Sequence, residues 1–435
     1  MVQWKYLVGG IIVGLVIGIV VGFGVANWLA KPVPPSPPPT PIVIGHQADL
    51  TGSLAFWGAW HDRAARAAID YINKHGGIAG RPVVYVVEDT KSSVPDGITA
   101  LERLVLVDHA DFIIGSVHSG IGIACAPKAA ELGVIYTPRG HATQITADAL
   151  SRYTFRIMTS VKSEVQAMAN IIKKENLIEK EFGRNWTVIY VDYSFGWDYR
   201  DQLRAVAKDL GINIIAEIAV PVGTLDFMPY LTKIPPETTT IFYLMVGPTQ
   251  SEIMNKQLYE LGWTRVPRIT SIASLEGINV DALANVFEGT WVHELMPKNA
   301  KKFDTPYYKA FREALGVDDY FRDLKDPTNH GTAKTLTVWE SIFMLKKAIE
   351  ETEWKDKSDN PKLIKYLENA VFNESFEFPQ GTKFIRAEDH QMFTRTWLSK
   401  FENGKLVPKY MISAEESVYP PLVDITKQPL PSTTK

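Results

Sequence analysis

The chain has 435 residues, 46% hydrophobic and 22% charged, a globular composition that argues against wholesale disorder and suggests two or three folding units. Lys+Arg 46 against Asp+Glu 49 gives a formal net charge of -3, which lends no support to a nucleic-acid partner, since that needs a basic face. The single cysteine, Cys125, excludes an intrachain disulfide and a cysteine-based zinc site.

Residues 6–30, YLVGGIIVGLVIGIVVGFGVANWLA, carry no charge. As a helix they reach about 37 Å, enough to cross a bilayer core of about 30 Å. Trp4, Tyr6 and Trp28 stand where interfacial aromatics belong. A cleaved signal peptide normally has an apolar region of only about 7–15 residues, and Trp28-Leu29-Ala30 is a poor cleavage site. The expectation is an uncleaved transmembrane anchor over 1–30. Lys5 and Lys31 flank it almost evenly, so its orientation stays open. Residues 31–41, KPVPPSPPPTP, read as a polyproline stalk of roughly 30 Å. Two sequons, Asn185-Trp186-Thr187 and Asn373-Glu374-Ser375, would permit glycosylation of a body outside the cytoplasm.

Beyond the stalk, short apolar runs alternate with helical patterns. Strands are expected over 42–45, 82–87, 111–115 and 134–137, with helices over 59–74, 98–107 and 121–132. Gly76-Gly77 stops the first helix. The rhythm resumes with strands over 187–191, 214–220, 240–246 and 269–272, and helices over 164–174, 197–210 and 250–261. Such alternation means right-handed crossovers and parallel sheets covered on both faces. Helices over 335–351 and 362–370 follow, then strands over 376–384 and 394–412 with Asn403-Gly404 as a hairpin turn.

Ligands of parallel sheets gather beyond the carboxyl ends of strands. Three such ends here are rich in small and hydroxyl residues: 48–58, Gly115–Gly120 and Thr137–Thr143. Helix N-termini there offer free N–H groups to an anion, with the Ser119 hydroxyl beside them; ordinary helix capping accounts for the same residues. The nine histidines form no HExxH pair, and neither a GxxxxGK[ST] loop nor a GxSxG elbow occurs. No catalytic constellation, metal site or cofactor is expected.

The body resembles the solute-binding proteins of ABC importers in the branched-chain amino-acid and amide group. The resemblance rests on Asp49-Leu-Thr-Gly-Ser-Leu-Ala-Phe-Trp-Gly58, on Ile72-Asn73 through Gly76-Gly77-Ile78-Ala79-Gly80 before Glu88-Asp89, and on Gly115-x-x-x-Ser119. Val134–Pro138 with Thr146, and Asp192-Tyr193-Ser194-Phe195-Gly196, complete it. It covers about residues 42–412. It implies an α/β, two-lobed type I periplasmic-binding fold with three hinge strands, each lobe a parallel sheet flanked by helices. Lobe one would hold 42–158 plus 290–372, lobe two 159–289 plus 373–425, and 426–435 would be a flexible tail. A small-molecule ligand would bind between the lobes, and the closed form would dock on a permease driven by its ATPase.

By the same resemblance Ser119 would hold a ligand carboxylate, Trp57 would cover the ligand, and Val117 and His118 would line its pocket. Phe195 would be an aromatic contact from lobe two, and Glu276 the acid that holds an ammonium. Tyr193 and Trp197 would line the cleft or serve as core. The sequence departs from the family pattern at Arg139, Gly140 and His141, where His141 replaces the second carboxylate-binding hydroxyl. Either Arg139 is a salt-bridged residue at the cleft rim, or the ligand carries a second acidic group or an aromatic ring stacked on Trp57. The function expected is an extracytoplasmic receptor that captures an amino acid or related carboxylate for an importer. A sensory ectodomain with a separate signalling partner is the alternative, and an α/β enzyme a third.

Overall fold

The computed structural model of the chain describes residues 39–298 and 303–431. The expected anchor, most of the stalk and residues 432–435 of the tail lie outside them. Among the described residues no helix is long and apolar enough to cross a membrane.

Four parallel strands form the first sheet: β1 (Ile42–Ala48), β2 (Val83–Asp89), β3 (Phe112–Ile114) and β4 (Ile135–Thr137), in the order β2-β1-β3-β4. Register is fixed by pairs such as Ile44 with Tyr85 on one side and Phe112 on the other. The crossovers are helices α1 (Ala55–Lys74), α2 (Val94–Leu106) and α3 (Ser119–Glu131). Helix α1 buries Ala64, Ala65, Ala68, Ile69 and Ile72, a stripe at three- and four-residue spacing. It begins a turn earlier than expected, because the Gly58 N–H already bonds the Leu54 carbonyl. A side chain at Gly58 would sit 2.0 Å from the Asp49 carbonyl oxygen, so only glycine lets α1 start so close to the end of β1.

The second sheet has seven strands. Its parallel part is β5 (Asn185–Val191), β6 (Asn213–Val220), β7 (Thr240–Leu244), β8 (Arg268–Ser271) and β9 (Thr290–Glu294), ordered β6-β5-β7-β8-β9. This repeats the strand order of the first sheet. Helices α4 (Val161–Lys174), α5 (Ser194–Leu210) and α6 (Pro248–Glu260) cover it. In the last third come α7 (Pro306–Leu315), α8 (Thr335–Thr352) and α9 (Asn360–Leu367). The strands β10 (Val371–Phe372), β11 (Lys383–Ile385) and β12 (Met392–Thr394) make a small antiparallel sheet. Strand β13 (Thr396–Glu402) then joins the second sheet antiparallel to β9, and β14 (Lys405–Ile412) pairs antiparallel to β13 at the edge. That sheet is therefore mixed rather than purely parallel. Their turn at Asn403 (φ 53) and Gly404 (φ 73) is left-handed at both positions, as a two-residue hairpin requires.

Two large cores define the lobes. One gathers residues of β1, β3, α1 and α8 with Phe372, Phe378, Ile385 and Met392. The other gathers α4, α5 and strands β5, β7, β8 and β9 with Leu398 and Ile412. Two boundaries differ from the sequence division. Strand β9, expected in lobe one, pairs with β8 in the second sheet, and residues 373–394, expected in lobe two, pack on the first core. The strand expected over 376–384 is found only at its end, where 383–384 belong to β11; residues 373–382 are turns, bends and irregular chain.

Candidate functional site

Each sheet has a switch point, β1 beside β3 and β5 beside β7, where successive crossovers leave in opposite directions and a crevice opens beyond the carboxyl ends. The loops after these strands meet between the lobes. In lobe one they are tied together by Asp49, which is buried. It accepts from the Thr90 hydroxyl at 2.5 Å, the Ser116 hydroxyl at 2.7 Å and the Val117 N–H at 3.0 Å. Burial, opposed by these bonds, raises its pKa. Ser116 then accepts the His118 N–H at 2.8 Å, and His118 Nδ1 accepts the Ile121 N–H, capping α3. The loop after β4 lies on the start of α3, since a side chain at Gly140 would come 2.8 Å from the Ser119 Cα. The Ala142 N–H donates to the Ser119 hydroxyl at 3.2 Å.

A narrow cavity of about 20 Å³ lies at this junction. Its apolar wall is Leu54, Trp57 and Val117 from lobe one and Tyr193, Phe195, Val246 and Ala273 from lobe two. Its polar lining is Ser119, His141 and Lys334. Phe195 stands 5.4 Å from the His141 ring and 6.1 Å from Tyr193. A second, roomier cavity of about 220 Å³ adjoins it; it shares Leu54, Tyr193 and Val246 and adds His118, whose ring lies 5.5 Å from Tyr193. Burial lowers the His118 pKa. The lobes are drawn together over the first cavity. Leu54 and Trp57 pack into the second lobe's core, and the Thr143 N–H donates to Asp198 Oδ2 at 2.6 Å.

Of the expected residues, Trp57, Val117, Ser119, His141, Tyr193 and Phe195 come together on this cavity, and His118 lies on the adjoining one. Glu276 stands behind the wall. It accepts from Trp57 Nε1 at 2.6 Å and from the Thr332 hydroxyl, and Lys334 Nζ is 3.7 Å away. Arg139 is a correction. It is buried beneath the site, where NH1 donates to the Thr337 carbonyl at 2.5 Å; it lines neither cavity and makes no salt bridge at a rim. Trp197 is neither cleft nor core: it is 46% exposed and donates to Asp192. Cys125 is buried, and burial pushes its thiol up to about 11.

Lys334 was missed. It precedes α8 and reaches the cavity with its ammonium 6.0 Å from the Phe195 ring centroid. The one available signal was a lysine at a helix start, where the dipole disfavours a cation. Among the described residues lining this cavity, it is the one with a fixed charge. No cluster of metal-ligating side chains occurs among the described residues.

Two lobes joined by several crossings, with adjoining cavities at paired switch points, define a ligand-binding clamp. Residues 41–405 match the periplasmic binding protein family, and the chain belongs to it. It is 28% identical over 369 residues to the Leu/Ile/Val-binding protein homolog 3 of Brucella melitensis, covering 84% of this chain and 93% of that protein. Two solved structures share the fold. One is a solute-binding protein of an ABC transporter from R. palustris in complex with benzoate, with TM-score 0.72, 18% identity and 86% and 96% of the two chains covered. The other is the branched-chain amino acid transporter substrate-binding protein LivJ of Streptococcus pneumoniae in complex with isoleucine, with TM-score 0.70, 18% identity and 86% and 99% covered.

Proposed function

We propose that this protein is an extracytoplasmic receptor that captures a small carboxylate between its lobes and delivers it to an ABC importer. The observation that carries this is the cavity between the lobes, with its aromatic walls and, among the described residues lining it, one fixed cation, Lys334. The Ser119 hydroxyl and the N-terminal end of α3 beside it favour the same anion. The two ligands named in the solved relatives, benzoate and isoleucine, both carry a carboxylate. The Glu276 carboxylate is already engaged by Trp57, Thr332 and Lys334, so the reading favours an acid without an amine. Uptake follows from differential contact: a solute touching both walls stabilises the closed form over the open one. An apolar segment over 6–30 would tether the body to the membrane.

The test is a thermal-shift screen of the full chain, stripped of bound solute by unfolding and refolding, against benzoates, aliphatic acids and branched-chain amino acids. At 100 times its dissociation constant a ligand adds about 2.7 kcal/mol, which for a chain this size raises Tm by about 3 °C. The Trp57→Ala variant should weaken the hit at least about tenfold, roughly 1.4 kcal/mol. A hit whose affinity ignores Trp57→Ala would remove this cavity as the site.

A further inference from the structure

The His141 imidazole stands between two unlike surroundings. Its Nδ1 lies 2.8 Å from Glu164 Oε1. The same carboxylate accepts the Thr159 hydroxyl at 2.6 Å and the Tyr199 hydroxyl. Burial would raise the Glu164 carboxyl, but the neighbouring His141 and His293 and the Thr159 hydroxyl outweigh it and hold it well below the usual range. An ionised carboxylate only accepts, so Nδ1 carries the ring proton. The other ring nitrogen, Nε2, is buried with no hydrogen-bond partner among the described residues, and His141 lines the first cavity. A neutral ring protonated at Nδ1 presents a lone pair at Nε2.

The groups around the ring keep it neutral. Burial first, then Lys334 before α8 and Arg156 from the segment after β4, lower its pKa to about 4 against the pull of Glu164 on α4. On β9, His293 lies 3.8 Å from the far oxygen of Glu164. On α5, Asp198 is held by the Thr143 N–H. A cationic donor would meet Lys334 in the same cavity; an uncharged one would not be repelled.

We infer that His141 Nε2 accepts a hydrogen bond from the bound solute, so that the solute is a carboxylate that also carries an uncharged donor, a hydroxyl or an amide N–H. His141 is then a specificity-determining residue, and Glu164 is the positioning residue that fixes its tautomer. The inference rests on the carboxylate reading above.

Matched acids test it by calorimetry on the full chain at pH 7: 4-hydroxybenzoate against 4-methoxybenzoate, 3-hydroxybenzoate against 3-methoxybenzoate, and 2-hydroxy-4-methylpentanoate against 4-methylpentanoate. The expected result is that the hydroxyl member of at least one pair binds tenfold or more tightly, and that His141→Phe collapses the preference. Equal affinities within every pair that binds overturn the inference and leave the carboxylate reading standing. No binding in any pair overturns both. Should His141→Phe fail to fold, ¹⁵N-histidine spectra of the unaltered protein replace it. An unprotonated Nε2 that shifts with the hydroxyl ligand supports the inference, and a protonated Nε2 overturns it.

Discussion

Two corners of one cavity are built from the same parts and do opposite things. At one, Glu276 stands behind Lys334; at the other, Glu164 stands behind His141. In both, the base lines the cavity and the acid is hidden. Both acids are served by hydroxyl donors, Thr332 for Glu276 and Thr159 and Tyr199 for Glu164. The difference lies in the base. A lysine carries its charge into the cavity, whereas a buried histidine beside that lysine loses its charge and offers a lone pair. One corner therefore suits an anion and the other a neutral donor, without a change in the supporting acid.

The largest expected effect breaks the charged corner. Lys334→Met removes the cavity's fixed cation and keeps its bulk. A hydrogen bond to a charged group contributes about 1.5–3 kcal/mol, so affinity for a carboxylate such as benzoate should fall about tenfold to a hundredfold. Glu276→Gln should do the reverse, since it frees Lys334 from its partner. If calorimetry shows Lys334→Met binding carboxylates as well as the parent, the ammonium is not their partner and the contrast between the corners fails.

How much of this was legible in the sequence depends on whether a residue's role is local. Ser119, Tyr193 and Phe195 follow strands at positions that strand–helix alternation already places on a carboxyl edge. Trp57 could be placed in the same way, although its first-turn position on α1, not a loop, aims it at lobe two. Lys334 could not, because α8 reaches the cavity only after the last third of the chain has folded back onto lobe one. Arg139 and His141 were read together because they are two residues apart. The strand ends at Thr137, so alternation no longer applies, and one side chain drops beneath the site while the other lines it. The third, small sheet was hidden for a related reason: strands as short as Val371–Phe372 have no period.

A smaller effect sharpens the neutral corner. His141 and His46 are both lowered by burial to about 4, while burial raises Glu294 to about 7. Between roughly pH 4.5 and 6.5 the unfolded chain binds protons on both histidines, and the native chain binds one on Glu294. These three groups leave the unfolded state with a proton more, and His61, His118 and His293, also lowered by burial, act in the same direction, so stability should rise with pH across that window and be lost as pH falls through it. Glu294→Gln removes the opposing proton and should steepen the slope. Urea unfolding at several pH values checks both statements. A flat or falling profile would mean that the buried histidines carry charge in the native state, and the contrast between the two corners would lose its basis.

The smallest effect is expected at Arg139, which the sequence left open between a structural role and a ligand contact. Arg139→Met exchanges a buried guanidinium for an apolar chain of similar length. The guanidinium donates to the Thr337 carbonyl, while its Nε and NH2 find no partner among the described residues. Replacing a buried charge by a well-packed apolar group is often neutral or mildly stabilising, so unfolding free energy should change by less than about 2 kcal/mol. Carboxylate affinity should stay within about twofold, less than 0.5 kcal/mol, because the charge that faces the cavity belongs to Lys334. A tenfold loss in Arg139→Met with the fold intact would place a second cation within reach of the ligand. The two-corner description would then have to admit a dicarboxylate.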